Sequence, residues 1–189
     1  MRPAKKERRN YYRSLQASFP MAQFEAWNRL LAQKLESALA KIPENSYVAV
    51  YQARPREANL QSLFSKSYRF CFPRVLSLDG QMEFRWVKNP QDPQQFTAGT
   101  WGILEPKEQN PVVKKSEMSA GFLPLLAFDD HGVRLGNGKG FYDRFLDQFP
   151  GLKLGVAFEW QFSPDPLPKE LHDHSLDAVV TEYTVRYFS

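Results

Sequence analysis

Cysteine is nearly missing from this chain. Cys71 stands alone among 189 residues, so no disulfide can form within it. Its setting, YRFCFP, reads as a strand, where a lone cysteine is a small buried hydrophobe rather than a reactive thiol. Long apolar runs are missing too. GFLPLLAF falls far short of the roughly 20 residues that span a bilayer. The basic opening MRPAKKERRNYYR leads into no apolar stretch, so it is not a secretory leader. There is no internal repeat, no low-complexity segment and no base-reading motif. Together these absences predict a cytoplasmic protein with neither membrane nor nucleic acid as partner.

What is present is a large aromatic core. Hydrophobic residues make up 42% and aromatics 14%, with 15 phenylalanines, which suits one domain over 1–189. A basic helix is expected from Ala4 to about Ala17. Ser18 then caps a second helix, with Met21, Phe24, Trp27, Leu31, Leu35 and Leu39 on its core face. Strands are expected at Ser46–Ala53, YRFCFP, MEFRWV, GFLPLLAF, GLKLGVAF, LDAVVTE and TVRYF, with a turn at Asp79-Gly80. Glu57–Lys66 and FYDRFLDQF read as helices, and 88–117 as a long irregular loop. Strands alternating with helices predict a three-layer α/β/α architecture with a mostly parallel central sheet.

The net charge is only +4, yet six bases crowd the first thirteen residues: Arg2, Lys5, Lys6, Arg8, Arg9 and Arg13. Such an excess suits either a phosphate-bearing ligand or a solvated helix face. A second concentration is more telling. RLGNGKGFYDRF sets Gly136, Gly138 and Gly140 at alternate positions immediately before a helix. The spacing fits neither the dinucleotide fingerprint nor the Walker loop. Alternating glycines can still turn successive N–H groups into one anion-binding concavity, and the helix start adds its dipole. Arg134 and Lys139 contribute full charges. Asp143, in the first turn, can cap the helix or hold magnesium against a phosphate.

The run LPLLAFDDHGVRLGNGKGFYDRFL resembles the signature of the 5-formyltetrahydrofolate cyclo-ligase family, P-x-x-A-F-D-x-x-G-x-R-L-G-x-G-x-G-[FY]-Y-D. Pro124, Ala127, Phe128, Asp129, Gly132, Arg134, Leu135, the three glycines, Tyr142 and Asp143 all fit. The likeness extends over nearly the whole chain, through WGILEP, Gln161 and the LPKELHDHSLDAVVTE segment. It departs at SAGFL, before Pro124, and at Phe141, where the family often has tyrosine.

The resemblance implies an ATP- and Mg²⁺-dependent ligase that closes 5-formyltetrahydrofolate to 5,10-methenyltetrahydrofolate through a phosphorylated formyl oxygen, releasing ADP and phosphate. It implies that Lys5, Arg9, Arg134, Leu135, Gly136, Asn137, Gly138, Lys139, Gly140, Phe141 and Tyr142 hold ATP. Arg134, Lys139 and Tyr142 would act in catalysis. Glu57, Met82, Phe141 and Tyr142 would bind the reduced folate, and Asp143 and Asp173 would hold the metal. His172 and His174 would be neighbours of Asp173 rather than ligands. A monomer is expected. The alternative is a non-catalytic or redirected folate- or nucleotide-binding member of the same fold.

Overall fold

The structure, a computed structural model, describes residues 4–188; Arg2, of the basic opening, lies outside them. Two helices come first, α1 (Lys5–Ser18) and α2 (Met21–Leu39), and a short third, α3 (Phe141–Leu146), follows the glycine loop. The strands in chain order are β1 (Tyr47–Ala49), β2 (Arg69–Ser77), β3 (Gln81–Trp86), β4 (Phe96–Ala98), β5 (Leu104–Pro106), β6 (Val112–Val113) and β7 (Met118–Pro124). After them come β8 (Ala127–Asp129), β9 (Arg134–Leu135), β10 (Leu152–Val156), β11 (Phe162–Ser163), β12 (Ala178–Val180) and β13 (Val185–Tyr187).

Eight of these form the main sheet, in the order β13-β12-β10-β7-β1-β2-β3-β6. The five inner strands, β12 to β2, run parallel; β13 pairs antiparallel with β12 at one edge, and β3 pairs antiparallel with both β2 and β6 at the other. The expected mostly parallel sheet is therefore present, with antiparallel margins.

Alternation along the inner strands explains the layers. Val48, Phe70, Phe72, Phe122, Leu154 and Val156 point to one face, where Phe24, Leu31, Leu35 and Leu39 of α2 cover them. Ala49, Cys71 and Val179 point to the other, against Phe145 and Phe149 in and after α3. Period two in the strands meets period 3.6 in the helix, which is what buries both faces of the inner sheet.

Several local expectations need correcting. Ser18 ends α1 and donates its hydroxyl to Leu15 O at 2.7 Å; Pro20, lacking an N–H to satisfy, opens α2. Met21 is exposed rather than on the core face. Glu57–Lys66 is not an α-helix and contains only a 3₁₀ turn at Gln61–Leu63. Asn59 diverts this backbone: its side chain accepts from Gln61 N, while its own N–H goes to the Asn28 side chain. GFLPLLAF breaks into β7 and β8, which belong to different sheets. Buried Gln161 caps the break, donating to Leu125 O and Leu126 O. Residues 88–117 carry the β4–β5 hairpin and β6, so they hold more order than their composition suggests.

A small sheet, β11-β8-β9, leads to the glycine loop. Asp129 fastens it, accepting from His131 N and Val133 N through one oxygen and from Leu167 N through the other. This signature aspartate is structural. Tyr12 of α1 is buried beside Leu126, Val133 and Leu135, so α1 lies over this sheet.

Candidate active site

The chain leaves β1 toward β2 and leaves the neighbouring β7 toward β10, so the connections diverge and a crevice opens at the ends of β1 and β7. A cavity of about 400 Å³ occupies that place. Tyr51 to Glu57 after β1, Pro124 ending β7, and the glycine loop with the start of α3 form one side. Val75 of β2, Met82 of β3 and the Thr100–Glu105 segment form the other. One half is rich in cations and backbone amides, the other in apolar side chains.

The glycine loop has the conformation its residues imply. Gly138 and Gly140 take φ of 92° and 72°, the left-handed region that favours glycine. Among the described residues, no backbone N–H from 136 to 140 donates to a protein acceptor. Their carbonyls, by contrast, are used. Arg9 Nε donates to Gly136 O at 2.9 Å, Arg13 to Asn137 O at 3.1 Å, and Arg144 to Lys139 O at 3.3 Å. The loop is thus held through its carbonyls by arginines while its donors stay unspent. Arg144 also lies over Gly80 in the β2–β3 turn, where a Cβ would collide with its guanidinium.

Arg134 is the best-buried cation here, its side chain 3% exposed, and it grips Asp143 at 2.5 Å. Its Nε is buried with no partner. The Gly136 Cα passes so close that a Cβ would stand 2.8 Å from Arg134 Nη1. Tyr142 lies 5.8 Å below this guanidinium. Burial first, then the Glu57 charge, pushes its phenol far above the ordinary tyrosine range, against a lowering by Arg134. The Tyr142 hydroxyl is thus available to offer a hydrogen bond. Trp101, 54% exposed, sets its edge to Phe141 at 5.6 Å and carries the Lys139 ammonium 5.9 Å above its ring.

Of the residues singled out in the sequence, Glu57, Met82, Arg134, Gly136 to Tyr142, and Asp143 all line this cavity. Arg9 holds the loop through the Gly136 carbonyl. Leu135 is buried, its carbonyl bonded to Leu126 N, and offers no side chain to a ligand. Lys5 and Asp173 do not line the cavity but pair with each other at 2.6 Å. Glu170, His172 and Asp173 bring ligand atoms within 4.8 Å of one another, and the Lys5 ammonium, 3.0 Å from Glu170, is the cation among them. Burial raises the Asp173 pKa, but hydrogen bonds from Lys5 and Glu170 N outweigh this and hold it below the usual aspartate range.

Sequence reasoning missed Tyr51, Arg54 and Glu105. Arg54 clamps Glu57 through its side chain and its N–H, and Glu105 is a nearly buried carboxylate on the wall. The signal for Glu105 was there: a glutamate beside proline in the apolar run GILEP.

The donor set fits a nucleotide triphosphate with magnesium: unspent loop amides, an arginine with an orphaned N–H, and a carboxylate at the helix start. The profile of the 5-formyltetrahydrofolate cyclo-ligase family matches residues 2–182. The chain belongs to that family. The Mus musculus 5-formyltetrahydrofolate cyclo-ligase is 30% identical over 67% of this chain and 66% of its own length. The Escherichia coli K12 protein of the same name is 42% identical over 42% of this chain and 45% of its own. The aligned stretches thus span between about half and two thirds of these relatives. Coverage is fuller with the NMR structure of the Aquifex aeolicus 5,10-methenyltetrahydrofolate synthetase. That structure has a TM-score of 0.79 and 32% identity over 97% of this chain and 92% of that one. Among the described residues of this cyclo-ligase family member, no helix is long and apolar enough to cross a membrane.

Proposed function

We propose that this protein is a 5-formyltetrahydrofolate cyclo-ligase, converting 5-formyltetrahydrofolate to 5,10-methenyltetrahydrofolate at the expense of ATP, and that residues 1–189 act as one unit. The observation that carries the reading is the two-sided cavity. Unspent loop amides and Arg134 face one half, and apolar side chains line the other.

When bound, ATP supplies the phosphoryl group that turns the formyl oxygen into a leaving group, and magnesium offsets the phosphate charge. The loop amides of 136–140, Lys139 and Arg134 receive the phosphates. Asp143, paired with Arg134, would hold the metal. Asp173, read from sequence as the second metal carboxylate, holds Lys5 in place, and Arg9 holds the loop through a carbonyl. Glu57, Met82, Phe141 and Tyr142 form walls for the pterin, and Tyr142 donates its retained proton toward the reacting oxygens. The formyl oxygen bonds to the γ-phosphorus as ADP departs. N10 then closes on the formyl carbon, its proton passes to solvent, and the C–O bond breaks to release phosphate. The protein contributes orientation and charge rather than covalent chemistry.

Near-ultraviolet absorbance tests this, because the methenyl product has an extended chromophore that the substrate lacks. With 5-formyltetrahydrofolate and Mg²⁺ the expected result is a rise that requires ATP. Asp143→Ala is expected to slow it by roughly 10²–10³-fold. A folded wild type that gives no rise overturns the proposal.

A further inference from the structure

The apolar half of the cavity contains a carboxylate that the chemistry above does not use. Glu105, in β5, lines the cavity and is 7% exposed. One oxygen accepts the Thr100 N–H at 3.1 Å. Gly99 passes so near that a Cβ would stand 2.3 Å from the carboxylate carbon, so the backbone is shaped around this side chain. Among the described residues no cation pairs with it. Glu57 is in the opposite condition: Arg54 occupies both of its oxygens.

A carboxylate buried with a single hydrogen bond is costly unless a donor completes it. The donor that fits this wall is flat and largely apolar, since Val75, Met82 and Ile103 line the same half. A reduced pterin meets both conditions. Its 2-amino group and N3–H are adjacent donors on one edge of a flat ring, matched to the two oxygens of a carboxylate. We infer that Glu105 accepts the 2-amino and N3–H edge of the pterin and makes the site specific for a 2-amino-4-oxo ring. This rests on the folate reading above.

The test is calorimetric titration of wild type and Glu105→Gln with 5-formyltetrahydrofolate and with its 2-desamino-2-methyl analogue, with the ATP-induced thermal shift measured alongside. Glutamine still accepts the Thr100 N–H but turns an NH₂ group toward the ligand's donors. The wild type is expected to prefer the 2-amino ligand by about 10- to 100-fold. Glu105→Gln is expected to lose that preference while its response to ATP is unchanged. If the variant retains both affinity and preference, Glu105 serves only the Thr100 turn and the inference is overturned. A wild type that binds both ligands equally overturns it without any variant. A wild type that binds ATP but neither folate removes the folate reading as well.

Discussion

Arg134 carries three duties at once: it grips Asp143, covers Tyr142 and keeps one N–H unspent at the loop. Lysine keeps the charge but not the planar fork. Arg134→Lys is therefore expected to reduce kcat/KM roughly 100-fold while the protein stays folded, as steady-state absorbance kinetics and circular dichroism would show. A residue away from the site makes the clearest pH prediction. Burial raises the Glu182 carboxyl above the usual glutamate range, and the Glu159 charge adds to this. A raised carboxyl contributes stability below its unfolded pKa and loses it as pH rises through the folded one. Glu182→Gln can keep the hydrogen bond from Glu159 N. It should melt higher than wild type at neutral pH, with the gap closing below the usual glutamate range in thermal melts across pH. Residue roles were only partly legible in the sequence. Arg134 and Asp143 could be read because signature spacing placed them. Glu105 could be marked by its place in WGILEP but not given a role, since its meaning depends on lacking a cation, and only the packed structure shows that.

At the scale of elements, the glycine loop is the feature most completely written in the chain. Alternating glycines before a helix allow few conformations, and the left-handed values at Gly138 and Gly140 follow from them. Gly140→Ala forces a side chain into that region at a cost of about 1–3 kcal/mol, and its Cβ would stand 2.9 Å from Arg144. The expected outcome is a KM for ATP raised at least tenfold with the folate KM little changed, read from initial rates. Other elements were less legible for definite reasons. Glu57–Lys66 has helical composition, yet Asn59 and Asn28 supply competing hydrogen bonds, one of them from 31 positions away. GFLPLLAF reads as one apolar strand, and only Gln161, distant in sequence, reveals the break between two sheets. The role of α1 stood open between solvated face and ligand partner, because its charges find meaning only in carbonyls more than a hundred residues on.

For the molecule as a whole, the parallel order of the inner sheet followed from alternating strands and helices, and the cover of α2 from its apolar period. The antiparallel margins followed only in part: TVRYF was legible as a strand, but β6, two residues long within the irregular 88–117 stretch, looks like loop. Leu35 is fully buried where α2 meets the sheet. Leu35→Ala is expected to cost about 2–5 kcal/mol in denaturant unfolding, with ligand affinities retained by the fraction that folds. The arrangement of α1 has one more consequence, for synthesis. The cations of this helix precede the partners they dock on: Gly136, Asn137, Asp165 and Asp173 all lie in the last third of the chain. At about 5–20 residues per second, it waits several seconds on the ribosome with its cations unmatched. β1 waits as well, because one of its neighbours, β7, begins only at Met118. Nascent chains stalled before residue 173 should therefore retain no nucleotide on an ATP resin, however much of α2 they have already folded.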